Sequence, residues 1–88
     1  MIYLDNAATS WPKPESVYAA VNRAMREYGG SPGRGSYRLS LAAGEIIYEA
    51  RMLCAKLFHA SAPECISFSA STTEALNLAL KGVLKPGD

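Results

Sequence analysis

A cluster of hydroxyl side chains stands directly ahead of a helical repeat in this chain. In the stretch "SASTTEA", Ser71, Thr72 and Thr73 are followed by Glu74. Serine with glutamate three residues later is the capping-box pattern. In it the serine hydroxyl accepts the backbone N–H of the glutamate, and the glutamate carboxylate accepts the backbone N–H of the serine. A helix N-terminus also offers free N–H groups and a partial positive charge to a phosphate, and threonine hydroxyls would add donors. The turn alone leaves both interpretations open, because it lacks the Gly-Lys-Thr of a P-loop.

Three helices are predicted around this turn, because apolar residues recur at three- and four-residue steps in three segments. The predicted helices cover 14–28, Ser40 to about Phe58, and Thr73 to about Val83. Ser40 is the predicted cap of the second helix. The stretch "GGSPGRGSYR" between the first two helices is predicted to be irregular, since it holds four glycines and a proline in ten residues.

Strands are predicted at one or two places. "CISFS" at 65–69 has the length and apolar character of a buried strand, and "IYL" at 2–4 is a short β-like run. A buried lone strand would leave its backbone N–H and C=O groups unpaired, which is costly. The final "KPGD" is a turn signal. We therefore expect these 88 residues to be the start of a larger α/β protein, mostly helical within this stretch.

Composition narrows the function classes. The chain is 49% hydrophobic and 19% charged with a formal net charge of +1, which gives no general attraction to nucleic acid. No apolar run reaches the length of a membrane helix, and the N-terminus lacks the features of a signal peptide, so we expect a cytoplasmic protein. Cys54, Cys65 and His59 have no metal-ligand spacing, and both cysteines are expected to be reduced and packed in the core.

The most specific strings occur in one order along the chain: "YLDNAAT", "PKPESV", a Gly/Arg loop, "STTEALNLAL" and "KPGD". Together they resemble the opening of a class V aminotransferase-fold enzyme, in the cysteine desulfurase and selenocysteine lyase branch. The resemblance implies the N-terminal part of a fold-type I PLP-dependent transferase, with a three-layer α/β/α large domain and a smaller α+β domain. Within 1–88 it implies that 1–30 lies on the small-domain side and that 31–88 begins the large cofactor-binding domain.

The resemblance also implies a function. Enzymes of this branch use pyridoxal 5′-phosphate (PLP), convert L-cysteine to L-alanine, leave a persulfide on a cysteine, and act as homodimers with a sulfur-acceptor protein. The alternatives are a selenocysteine lyase or another class V member, and, from a different class, a non-catalytic module that acts alone. No catalytic residue is expected within this chain, since Lys13, Lys56, Lys81 and Lys85 lack the family's lysine context.

The resemblance assigns site residues by position. The turn at Ser71, Thr72 and Thr73 matches the segment that holds the PLP phosphate. The other implied residues border the substrate pocket: Asn6, Ala7, Ala8 and Arg34. The Arg34 loop would approach the partner subunit's active site, where an arginine could neutralise a carboxylate or phosphate. The alternative is that Arg34 is a solvated charge on an exposed loop. The sequence departs from the family at Tyr37, where relatives often carry histidine, and at or near Ser71, where many carry glycine.

Overall fold

Three α-helices, joined by irregular segments and one 3₁₀ turn, make up the structure, a computed structural model that describes residues 1–88. The elements are α1 (Glu15–Glu27), α2 (Arg38–Phe58), the 3₁₀ turn (Pro63–Cys65) and α3 (Thr72–Val83). All three predicted helices are confirmed to within two residues. The residues cluster into two units, 1–47 and 48–88.

Helix α1 begins after Pro14, whose carbonyl accepts a hydrogen bond from the N–H of Val17 at 2.9 Å. Within its last turn and a half, Arg23 Nε donates to the Glu27 carboxylate at 2.9 Å, an i,i+4 pair on the exposed face. The Arg23 guanidinium also lies 5.6 Å from the ring centre of Tyr28. The bond to Glu27, with the nearby Tyr28, raises the pKa of Arg23 above its ordinary value. These contacts lie at the end of the helix, where the macrodipole favours a cation.

Helix α2 begins at Arg38, two residues before the predicted cap. The Tyr37 carbonyl accepts from the N–H groups of Ser40 at 3.0 Å and Leu41 at 3.1 Å, so the first turn is already formed at Ser40. The prediction that Ser40 caps this helix is therefore wrong. Its hydroxyl bonds instead to the preceding loop, which explains why a residue of the cap-forming type stands inside the helix.

The carboxyl end of α2 closes with a left-handed residue. His59 has φ 55°, and the N–H of Ala60 donates to the carbonyl of Ala55 at 2.9 Å. This bond, which spans five residues and encloses a left-handed one, is the Schellman motif. Glycine is the usual residue at the left-handed position. The His59 ring nitrogen Nδ1 lies 3.2 Å from the carbonyl oxygen of Lys56, a further partner for the end of the helix.

Neither predicted strand is present. Residues 2–4 and 66–69 have no regular secondary structure, and Cys65 ends the 3₁₀ turn. Ile66 does have extended dihedrals, φ −103° and ψ 121°. A strand also needs a neighbour that supplies its hydrogen-bond ladder, and no second strand exists among these residues. Apolar composition therefore produced an extended segment here without a sheet.

Very few side chains are buried. Ala43, Ala55 and Ser40 are the buried residues, while Cys54 is half-buried and Cys65 is exposed. The expectation that Cys65 lies buried in a strand is thus wrong, because the strand and its covering layer are not formed. Exposed large apolar side chains occur along all three helices. No helix combines the length and apolar character needed to cross a membrane.

Candidate cofactor and substrate site

Ser71 caps α3 as its sequence predicts. It has extended dihedrals, φ −156° and ψ 162°, and its Oγ accepts the N–H of Glu74 at 3.2 Å. Its carbonyl accepts the N–H of Ala75 at 3.0 Å and the hydroxyl of Ser69 at 3.2 Å. The Glu74 carboxylate returns to the N–H of Ala70 at 3.0 Å, one residue before the N–H that a capping box uses. Four bonds thus fix the entry to the helix.

Thr72 and Thr73 keep their donors free at this helix end. The first N–H groups of a helix have no intrahelical acceptor, and the cap takes those of Glu74 and Ala75. The N–H groups and hydroxyls of both threonines have no partner in the structure, and both residues are exposed. Asn77 donates its side-chain amide to the carbonyl of Thr73 at 2.9 Å, which ties Thr73 to the next turn.

This set of donors fits a phosphate group. Two backbone N–H groups and two hydroxyls belong to the first two residues of a twelve-residue helix, at its positive end, where an anion is favoured. The nearby Glu74 carboxylate is held by the N–H of Ala70. Uncommitted donors are therefore present at Thr72 and Thr73, whereas the Ser71 hydroxyl is taken up by the cap.

Asn6, Ala7 and Ala8 form a turn near the N-terminus. The carbonyl of Asp5 accepts the N–H of Ala8 at 3.1 Å, and Asn6 Oδ1 accepts the N–H of Trp11 at 3.1 Å. The Asn6 amide nitrogen remains free to donate, and the two alanines present only methyl groups. This exposed turn therefore presents one amide donor between small side chains.

Tyr3 and Trp11 make further contacts around this turn. The Tyr3 hydroxyl lies 2.9 Å from the carbonyl of Thr9 and 3.2 Å from that of Asp5. The two aromatic rings meet edge to face, with centres 5.6 Å apart. Aromatic pairs in this geometry add stabilisation beyond their buried area. The pattern "YLDNAATSW" therefore folds on itself, a property that its composition alone does not predict.

Arg34 lies in the loop between α1 and α2. Its N–H donates to the carbonyl of Ser31 at 3.5 Å, and Gly33 between them has φ 77°. Proline at 32 followed by a left-handed glycine is the pattern of a type II turn. The Arg34 guanidinium has no hydrogen-bond partner and the residue is exposed. Its planar fork is available for a carboxylate or phosphate.

Ser40 holds this loop, a role that the sequence did not predict. It is 1% exposed, and its Oγ lies 2.7 Å from the carbonyl of Ser31 and 3.1 Å from that of Gly35. A serine at the start of an apolar helical repeat predicts a cap. Only the folded loop shows that this hydroxyl bonds to carbonyl groups earlier in the chain.

The expected site residues fall into two groups within the structure. Asn6, Ala7, Ala8 and Arg34 belong to the unit 1–47, and the three residues of the α3 entry belong to the unit 48–88. The roles expected of both groups stay predictions.

Relatives of this chain are found among named enzymes. A "probable cysteine desulfurase" of Methanothermobacter thermautotrophicus is 38% identical over 88 residues, which is 99% of this chain and 22% of that protein. A selenocysteine lyase of Bos taurus is 38% identical over 84 residues, covering 96% and 18% of the two chains. The cysteine desulfurase IscS of Pseudoalteromonas translucida is 39% identical over 83 residues, covering 92% and 20%.

The chain spans about a fifth of the length of these curated relatives. No solved structure matches it significantly. The model of the class-V aminotransferase family matches residues 2–88, which is nearly the whole chain and includes both groups of candidate site residues. The chain therefore belongs to the class-V aminotransferase family.

Proposed function

We propose that these residues form the N-terminal part of a PLP-dependent cysteine desulfurase-like enzyme, in which α3 holds the phosphate of the cofactor. The observation that carries the proposal is the entry to α3. There the N–H groups and hydroxyls of Thr72 and Thr73 are uncommitted while Ser71 and Glu74 cap the helix. The family match and the relatives named as cysteine desulfurases support it.

Bound PLP supplies an electron sink for the bonds of an amino-acid substrate, while the protein supplies binding and orientation. In this chain Thr72 and Thr73 would hold the phosphate through charge-assisted hydrogen bonds, which are stronger than neutral ones. Ser71 would act through the cap, by keeping the first turn of α3 formed before the cofactor arrives. No proton transfer is assigned to these residues.

The substrate side of the proposal rests on residues of the N-terminal unit. Asn6 would donate its free amide to the amino acid, and Ala7 and Ala8 would leave room for it. Arg34 would pair with the substrate carboxylate through its guanidinium fork. By its resemblance the enzyme would be a homodimer, with the Arg34 loop directed toward the partner subunit, and would pass sulfur to an acceptor protein. The cytoplasmic location and the domain boundary after residue 30 stay predictions.

Two substrates separate the desulfurase from its nearest alternative. The selenocysteine lyase of Bos taurus, 38% identical to this chain, is the observation that favours the second candidate. The full-length protein, purified with PLP, is given L-cysteine or L-selenocysteine, and alanine is measured. We expect alanine from L-cysteine with sulfur retained on the enzyme. Turnover of L-selenocysteine alone would assign the lyase, and no alanine from either amino acid would refute both.

A further inference from the structure

Ser40 is the one fully buried polar side chain of the molecule. Its hydroxyl bonds to the loop that carries Arg34 and does not cap α2. Its hydroxyl lies 2.7 Å from the carbonyl of Ser31 and 3.1 Å from that of Gly35. These two carbonyls flank the turn that carries Arg34. A buried hydroxyl is expected to have partners, because an unsatisfied buried polar group is costly.

The carbonyl of Ser31 is shared between Ser40 and the turn itself. It accepts the Ser40 hydroxyl and, at 3.5 Å, the N–H of Arg34. Orienting this carbonyl therefore orients the turn that ends at Arg34. The N–H of Ser31 in turn lies 3.4 Å from the Tyr37 hydroxyl, which adds a second tie between the two ends of the loop.

Gly30 makes a second contact between this loop and the first turn of α2. A side chain at Gly30 would collide with the peptide group that joins Leu39 to Ser40, so the loop passes directly against the first turn of α2. Glycine is the residue that permits such a close backbone approach. The loop is thus held by backbone contact at Gly30 and by the Ser40 hydroxyl at Ser31 and Gly35.

We propose that Ser40 is a positioning residue for the substrate, which acts through the Ser31–Gly35 loop to hold Arg34 where it meets the substrate carboxylate. The proposal rests on the substrate role of Arg34 proposed above. Ser40 itself is buried and would not touch the substrate. Fixing the loop in advance reduces the ordering cost of binding, so its loss would weaken substrate binding more than it would slow the chemical step.

A double-mutant cycle on the full-length enzyme tests this inference. We expect S40A to raise KM for L-cysteine at least about fivefold with kcat changed less than about twofold, since a lost hydrogen bond is worth about that factor. S40T, which keeps the hydroxyl, should restore most of the loss. S36A is the matched control, because Ser36 is exposed in the same loop and makes no hydrogen bond. It should leave KM unchanged.

The cycle is completed with R34A and the double variant R34A/S40A. If Ser40 acts through Arg34, R34A raises KM and adding S40A changes it no further. A second readout, independent of activity, is limited trypsin digestion. Cleavage after Arg34 should be several-fold faster in S40A than in wild type or S36A. If S40A does not yield folded protein, S40C, which keeps a weak donor at similar volume, takes its place.

The outcomes separate the two proposals. An equal rise of KM from S40A with and without Arg34, or unchanged KM and cleavage in S40A, would overturn the role of Ser40 and leave that of Arg34 intact. Unchanged KM in R34A would overturn the substrate role of Arg34, and with it the substrate role of Ser40. Trypsin cleavage would then still report whether Ser40 holds the loop.

Discussion

At the scale of single residues, neighbouring side chains at the start of α3 differ in their hydrogen bonding. Ser71 and Glu74 complete the helix end, and Thr72 and Thr73 remain free to bind. Capping and ligand binding are often competing explanations for the same hydroxyl cluster. In the proposed site they fall on different side chains, so each can be removed without removing the other.

Replacing Thr73 by alanine in the full-length enzyme should weaken PLP binding by about 1–3 kcal/mol, the scale of a hydrogen bond to a charged group. The affinity is measured by fluorescence titration of the apoprotein with PLP. T73S is the matched control, because it keeps the hydroxyl and should bind nearly as tightly as wild type. If T73A bound PLP with unchanged affinity, the hydroxyl would have no part in holding the phosphate.

At the scale of elements, the start of α3 is fixed by a side-chain cap. Replacing Ser71 by alanine removes the acceptor for the N–H of Glu74. We expect the full-length protein to lose about 1 kcal/mol of stability, the usual effect of a lost N-cap. The measurement is urea unfolding of the apoprotein followed by circular dichroism. S71D, which keeps an acceptor, should retain most of the stability, and an equal loss in both variants would contradict capping.

At the carboxyl end of α2, a substitution is expected to stabilise the protein. His59 holds a left-handed conformation, φ 55°, that glycine adopts without steric cost. H59G should therefore stabilise the full-length protein by about 0.5–1 kcal/mol, less any contribution of the His59 ring to the Lys56 carbonyl. Thermal unfolding measures the effect. H59A, which gains no conformational freedom, should not stabilise, and a destabilised H59G would show that the ring contact dominates.

At the scale of the whole molecule, burial is slight for a chain of 88 residues. The buried apolar residues are two alanines, Ala43 and Ala55, whereas Leu53, Leu57 and Phe58 of α2 are 64%, 72% and 72% exposed. Burying a leucine or phenylalanine stabilises a fold by about 1.5–3 kcal/mol, so most of that stabilisation is absent here. This argues against the alternative that residues 1–88 act alone as a binding module.

Residues 1–88 expressed alone should show helical circular dichroism without a cooperative thermal transition, and should bind a hydrophobic dye. The physical reason is the lack of a packed core, since cooperative unfolding depends on mutual burial. Calorimetry together with dye fluorescence checks the expectation, and the full-length protein serves as the control. A sharp, reversible transition in the short chain would instead support an independent module.

The local features of this protein are determined by the sequence itself. Helical periodicity located α1, α2 and α3 to within two residues, and the spacing of Ser71 and Glu74 predicted the cap, because these signals depend on neighbours a few positions away. The motif "YLDNAAT" with "STTEALNLAL" indicated the family for the same reason: it is a property of the residues in order.

Features that depend on distant partners were decided only by the tertiary structure. The strand predicted at 65–69 is absent, because strand formation requires a second strand and apolar composition does not supply one. Ser40 looked like a cap and is a buried tie to the carbonyls of Ser31 and Gly35, nine and five residues back. A hydroxyl can cap a helix or hold a loop with the same chemistry, so its role depends on which carbonyls the folded chain brings within reach.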